Sequence, residues 1–452
     1  MNKLITITAA FALILGASAC NKNLQHGVTD LTLPEKKVEP VEVTFQHPGA
    51  YVNATDLNRA RAAVAVADAT DPIYASWQSL CKSPWAQETI QPNVLETVVR
   101  GDATGTGTTE NYIICCEQAG AAFQLALRWQ ISGDAKYAEA ARAILNGWAN
   151  GCKRITANDN NQYLLVGFQG HTFANAAELL RSYEGWTASE QDKFKSWLRT
   201  VWLSKAQWFI DNHGGSGVCN LHYWSNWELA NLSAIMAIGI YLDDAELVNY
   251  VNKEWLAGKG SGALKNFVPY NPIADPSGHS AAIAQHMESG RDQGHATLCV
   301  SMAAELCRMA QNAGLDFWGT DNDRVLAAFE YTAKYNVKPE GTFITTSMPF
   351  TRYEYCPAGC GCGSGHGATH TVVSADGRGK VRPGWELIYA HYIKEAGRPA
   401  NTCYYTRLFA GQLRYTDGVL TGDGGAGDSR YGTTNAAFDQ LGWGTLLFYQ
   451  GE

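Results

Sequence analysis

Thr187-Ala188-Ser189-Glu190-Gln191-Asp192-Lys193-Phe194-Lys195-Ser196-Trp197-Leu198-Arg199-Thr200-Val201-Trp202 reads as the opening of an amphipathic helix. Thr187 and Glu190 have the spacing of a capping box, in which a hydroxyl and a carboxylate close the first free N–H groups. Behind them Phe194, Trp197, Leu198, Val201 and Trp202 recur at i, i+3, i+4, i+7 and i+8, one apolar stripe on the helical period. The same grammar extends in both directions. Asp134 can cap a helix whose Tyr137, Ala141, Ile144, Leu145 and Trp148 share a face, and Gly151 stops it. Asp243-Asp244-Ala245-Glu246 opens another, with Leu247, Val251 and Trp255 aligned. Trp385, Ile388, Tyr389 and Tyr392 mark a further one, ended by Gly397. Helical periodicity runs from about residue 55 to 410, and strand-like alternation is scarce there. Many helices with one face each to bury predict an all-α fold of antiparallel hairpins. They close into a ring, an α/α toroid (an incomplete barrel) with a central substrate cleft, or stack as a solenoid. The Gly- and Asp-rich stretch from Asp417 to Gly432 reads as an irregular rim segment.

Composition narrows the function. Hydrophobic residues make up 46 % of the 452 residues and charged ones only 17 %, which excludes a disordered chain or a coiled coil. The net charge of -8 supplies no basic field for nucleic acid. With 14 Trp and 21 Tyr, the chain is rich in rings that stack on ring-shaped ligands.

Residues 1–20 read as a secretory signal: Lys3, then an apolar run from Leu4 to Leu15, then Gly16-Ala17-Ser18-Ala19-Cys20. The run is too short for a stable membrane span. Cys20 after Ser18-Ala19 resembles a lipobox, which predicts acylation and a lipid anchor in the periplasm or outer membrane of a Gram-negative bacterium. Residues 21–45, with Pro34 and Pro40, read as a flexible tether, and 46–452 as one α/α toroid domain. An exported protein meets oxidants, so some of the eleven remaining cysteines are expected to pair. Cys356, Cys360 and Cys362 with His366 and His370 match no zinc spacing, and disulfide or buried thiol is the plainer reading.

Four clusters carry chemistry. In Asn220-Leu221-His222-Tyr223-Trp224-Ser225-Asn226-Trp227-Glu228, Ser225 or Asn226 can serve as a plain N-cap. Alternatively the Asn226 amide faces a substrate carboxylate, with His222 and Trp227 as substrate contacts. Glu288-Ser289-Gly290-Arg291-Asp292-Gln293-Gly294-His295 puts two acids, a guanidinium, an amide and an imidazole just before a buried helix from Ala296 to Met309. On a continuous helix Glu288 and His295 would share a face; a salt-bridged helix start is the alternative. Met348-Pro349-Phe350-Thr351-Arg352-Tyr353-Glu354-Tyr355 sets tyrosines beside Arg352. A phenol titrating near ~10 needs such a cation to act as a base at neutrality. Arg378, Lys380, Arg382, Trp385 and Tyr389 suit a sugar bearing carboxylates, or make an ordinary basic loop.

An elimination next to a uronate carboxylate needs that charge neutralised, a base for the ring proton and an acid for the leaving oxygen. The clusters hold all three, and no phosphate loop, nucleophile elbow or dinucleotide fingerprint competes. The Glu288–His295 run, Asn226-Trp227-Glu228, Phe329-Glu330-Tyr331-Thr332-Ala333-Lys334-Tyr335-Asn336, Arg382-Pro383-Gly384-Trp385-Glu386 and Phe438-Asp439-Gln440-Leu441-Gly442-Trp443-Gly444 together resemble the alginate lyase family of polysaccharide lyases. The likeness is closest to its exported members acting on alginate or glucuronan. The resemblance implies an α/α toroid and β-elimination on a 1,4-linked uronic acid polymer, with no cofactor, by a monomer. It implies Tyr353 as catalytic acid (Tyr355 is two residues on), His295 as base, and Asn226, Glu288 and Arg291 as carboxylate partners. His222, Trp227, Gln293, Arg352, Arg378, Arg382, Trp385 and Tyr389 follow as substrate contacts. Arg352 before the tyrosine and the Cys356–Cys362 insert depart from the family pattern. Two other classes stay open: an α/α-barrel glycoside hydrolase using a pair among Glu228, Glu288, Glu330, Asp292 and Glu386, and a non-catalytic glycan-binding lipoprotein.

Overall fold

The computed structural model describes residues 37–101, 109–212, 221–345, 347–355 and 368–452. The leader with Cys20, the tether to residue 36, Cys219, and Cys356, Cys360, Cys362 and His366 lie outside them.

Helices follow one another as hairpins. α1 (Ala54–Val66) and α2 (Pro72–Lys82) precede α3 (Ile113–Ser132) and α4 (Ala135–Gly151). Next come α5 (Asn161–Leu180), α6 (Ala188–Trp197) and α7 (Ser204–Asn212), then α8 (Ser225–Tyr241) and α9 (Ala245–Ala257). A short α10 (Leu264–Phe267) leads to α11 (Gln293–Asn312) and α12 (Thr320–Asn336), and α13 (Trp385–Tyr389), α14 (Tyr404–Leu413) and α15 (Gly444–Phe448) finish the chain. Strands among the described residues are two or three residues long: β1 (Thr97–Val99) beside β2 (Arg154–Thr156), β3 (Tyr353–Glu354) against β4 (Thr369–His370), and β5 (Tyr415–Thr416) against β6 (Val419–Leu420).

The predicted caps form. Asp134 accepts from Lys136 N at 3.2 Å, Asp244 from Leu247 N at 3.3 Å, and Thr187 and Glu190 complete both halves of the box. The stripe behind Thr187 is not one uniform helix. Leu198–Leu203 widens into a π turn between α6 and α7. That turn lets Trp197 and Trp202 meet edge to face at 5.4 Å, both against Phe173.

α3, α5, α8 and α11 neighbour one another in that order and make the inner wall. They are buried on almost every face, as helices apolar all round must be. α4 and α9 cover them with one apolar face each. α15 packs on α1, α2 and α13, joining the chain's two ends, and one apolar core runs from Ala50 to Phe448. This is the α/α toroid. α5 and α8 pack closely at Gly167, where a Cβ would stand 2.7 Å from that of Ala230 and 2.9 Å from Asn231 N.

The inner helices start at one rim. Asn158 N donates to Gly101 O at 3.2 Å and Asn111 N to Val99 O at 3.2 Å, joining the approaches to α5 and α3. Asn160 then donates to the Tyr223 hydroxyl ahead of α8, and Asn226 to Glu288 ahead of α11. Each start carries the positive end of a helix dipole, so this rim favours anions.

Pairing is not seen among the described cysteines, and Cys219, Cys356, Cys360 and Cys362 lie outside them. The seven described cysteines, Cys81, Cys115, Cys116, Cys152, Cys299, Cys307 and Cys403, are all unpaired thiols. All but Cys81 are buried, filling space between helices as small apolar side chains. The end of the tether is fastened: Val41 exchanges two hydrogen bonds with Asn249 of α9, at 2.8 and 3.0 Å. No helix among the described residues is long and apolar enough to cross a membrane.

Candidate active site

Just before α11 the chain makes a tight turn, with Ser289 N donating to His286 O and Arg291 N to Glu288 O, both at 3.0 Å. Asp292 is extended, so the helix begins only at Gln293. Glu288 and His295 therefore do not share one helical face. The turn instead buries the Glu288 carboxylate completely and aims it at α8. Its Oε1 accepts from Asn226 Nδ2 at 2.7 Å and from Asn226 N at 3.2 Å; its Oε2 meets Arg291 Nη1 at 3.1 Å. Neither Ser225 nor Asn226 caps α8: Trp224 holds the cap position without a side-chain bond, and the Glu288 carboxylate serves the helix start from outside. The Arg291 guanidinium lies 4.8 Å from the centre of the Trp224 ring, and that ring stacks on Tyr355 at 3.8 Å and 7°. Arg291 is about a quarter exposed, and its Nη2 has no acceptor among the described residues.

His295 is the third residue of α11. Asp292 caps the helix by accepting His295 N on Oδ1 at 2.8 Å, and its Oδ2 lies 2.6 Å from His295 Nδ1. Burial pulls the Asp292 carboxyl upward, but the His295 hydrogen bond and charge hold it below the usual range. A carboxylate on Nδ1 favours the tautomer with its proton there, leaving Nε2 as an acceptor. The imidazole is 38 % exposed, open enough for a substrate. The sequence reading named His295 but missed Asp292 as its orienting partner; a capping acid three residues before the histidine was the available signal.

Tyr353 differs from expectation in its surroundings. Its hydroxyl donates to Met287 O and accepts from Gly290 N at 3.3 Å, its ring is 1 % exposed, and burial pushes its pKa well up. Arg352 turns away to Glu354 at 3.3 Å. A phenol so placed stays protonated at neutrality. Tyr355 is likewise pushed up by burial, and its hydroxyl donates to His222 O. β4 adds His370, which pairs in register with Tyr353 and lies 4.8 Å from its ring. His222 packs edge-on to Tyr223 at 4.6 Å, and Trp227 packs on Tyr223 at 4.9 Å, both half-buried.

Other expected contacts turn inward. Gln293 is buried, bonded to Ser289 O, Ser374 O and Asn336. Arg378 spends its donors on Tyr335 O and Ile344 O beneath the Tyr335 and Phe343 rings. Arg382 is buried against Ala436 O, Asp439 and Gln440. Trp385, expected as a substrate contact, is 1 % exposed and packs on Phe409 at 4.5 Å; Tyr389 is buried too. These side chains lie beside polar loops in sequence but satisfy backbone carbonyls and core space in the fold. The acids a hydrolase would need are engaged as well. Glu228 accepts from Gly262 N, Glu330 from Tyr405 N and Thr406 N, and Glu386 pairs with Arg414.

The comparisons agree with this architecture. The alginate lyase A1-III of Sphingomonas species A1 superposes with a TM-score of 0.53 at 15 % identity, over 90 % of this chain and 98 % of that one. An alginate lyase from Bacteroides ovatus gives 0.52 at 13 % identity, over 83 % and 98 %. At such identities the likeness shows the fold alone. No curated protein sequence matches the chain. The model of the family described as alginate lyase matches residues 115–343, just over half of the chain and including α8, the Glu288 turn and α11. The chain is therefore a member of the alginate lyase family, a polysaccharide lyase.

Proposed function

We propose that the protein cleaves a 1,4-linked uronic acid polymer of the alginate or glucuronan class by β-elimination. The observation that carries this is the buried Glu288 carboxylate tied to Asn226 and Arg291, set beside an Asp292-oriented His295 at the rim where inner helices start. Arg291, steadied by Glu288 and the Trp224 face, binds the sugar carboxylate and neutralises charge as the carbanion develops. His295 Nε2 takes the proton from the carbon bearing the carboxylate. Electrons of that C–H bond form the ring double bond, and the glycosidic C–O bond breaks toward the leaving oxygen. Tyr353 gives that oxygen its proton. Its raised pKa suits an acid and disfavours it as the base, so the two proton transfers fall to two residues. In this role the hydroxyl exchanges Met287 O for the substrate oxygen.

We further propose export with acylation of Cys20, and action as a monomer. The leader sequence supports the first, and Cys20→Ala shifting the protein out of the membrane fraction tests it. The activity test is purified protein on mannuronate-rich, guluronate-rich and glucuronan polymers, read by absorbance of unsaturated ends. New reducing ends without that absorbance would mean hydrolysis and sink the proposal.

A further inference from the structure

The 14 tryptophans are sheltered with one exception: Trp208 of α7 is 41 % exposed. Leaving an indole in water forfeits the burial that holds the others. Its plane is nonetheless fixed. It stacks on Tyr163, at the start of α5, at 5.0 Å and 17°. Tyr163 backs onto Phe209 at 5.5 Å, Phe209 meets Tyr223 at 5.2 Å, and Tyr223 touches His222. Rings thus run without a break from the exposed indole to the rim of the candidate site. Lys205, one turn before Trp208, adds charge. Its Nζ is held by Gln162 Oε1 at 2.8 Å, lies 5.7 Å from the Tyr163 ring, and has no carboxylate partner among the described residues. A flat, pre-oriented ring beside a tethered ammonium matches a pyranose that carries a carboxylate.

We propose that Trp208, Tyr163 and Lys205 form a distal uronate-binding platform. It holds a sugar of the polymer away from the bond being cleaved: the pyranose lies on the Trp208 ring and its carboxylate meets Lys205. This rests on the polymer substrate proposed above and adds where a long chain is gripped.

Native gels containing alginate, glucuronan or an uncharged glucan test it, run with the wild type, Trp208→Ala, Trp208→Phe and Lys205→Gln. The wild type should be retarded by the uronate polymers and not by the glucan. Trp208→Ala should weaken retention about 3- to 10-fold, the range for a lost ring contact. Trp208→Phe should keep part of it, and Lys205→Gln should lower retention and its salt sensitivity together. In turnover, Trp208→Ala should lose more kcat/KM on long polymer than on a tetrasaccharide. Wild-type retention by Trp208→Ala with an unchanged ratio of the two substrates overturns the platform, even where unsaturated ends confirm the lyase. Trp208-dependent retention without unsaturated ends overturns the reaction and leaves the platform standing.

Discussion

Asp292→Asn separates orientation from folding at the proposed base. Asp292 does two jobs with two oxygens: Oδ1 caps α11 at 2.8 Å and Oδ2 holds His295 Nδ1 at 2.6 Å. Asparagine caps a helix about as well as aspartate, so the first job survives. The second does not, because the neutral amide withdraws the charge that stabilises the imidazolium formed on proton abstraction. A hydrogen bond to a charged group contributes about 1.5–3 kcal/mol, roughly 10- to 150-fold in rate. The imidazole is 38 % exposed and water screens part of that charge, so the lower end applies, about 10- to 30-fold in kcat. Asp292→Ala should lose at least as much rate and also about 1 kcal/mol of capping, roughly 1 °C in Tm for a chain this size. The assay is initial rate of unsaturated-end formation, with thermal melting of both variants. A folded Asp292→Asn turning over within twofold of the wild type would refute the dyad.

Tyr353→Phe keeps the ring in its pocket and should lower turnover roughly 10²–10⁴-fold with the fold intact by circular dichroism; near-normal rate would return Tyr353 to plain packing. Glu190 is held at about 2, below its ordinary 4.5, chiefly by the hydrogen bond from Arg142. Its contribution to stability is present above about pH 4.5 and is lost as pH falls toward 2. Glu190→Gln should therefore lower Tm at pH 7 and match the wild type near pH 2, and a gap that persists in acid would contradict this. Lys334 and Asp275 form a buried ion pair also supported by Tyr405 and Ser277. Lys334→Met removes the counter-charge while the hydrogen bonds from Ser277, His279, Ser280 and Tyr405 remain, so it should cost about 1–3 kcal/mol in denaturant unfolding, and an unchanged midpoint would disprove it.

Much of the fold was legible because it is written locally. Caps at Asp134, Thr187 and Asp244 and the stripes behind them depend on residues three or four apart. The Glu288–His295 run was legible as chemistry because so many polar groups ahead of a buried helix need a use. What sequence could not supply was direction. Arg378, Arg382, Gln293, Trp385 and Tyr389 sit beside polar loops yet point to carbonyls and core, a choice made by segments dozens of residues away. The same holds for Glu288 serving α8, and for the protonated setting of Tyr353 between Met287 and Gly290. His370 was read only as a metal candidate, since its place beside Tyr353 arises from a strand pairing across the Cys356–Cys362 insert.

Gly167 offers no group to any substrate, yet it sets a dimension. Because it has no side chain, α5 packs directly on Ala230 and the backbone of Asn231 in α8, and Asn160 donates to the Tyr223 hydroxyl while Tyr163 O accepts from Asn231. The helix crossing works like the pivot of a calliper whose jaws are the two helix starts. A methyl group at the pivot would wedge the jaws apart at the rim, where sugar rings would pass. The gauge of this lyase can thus be reset from deep in its wall, without altering a residue that meets the polymer.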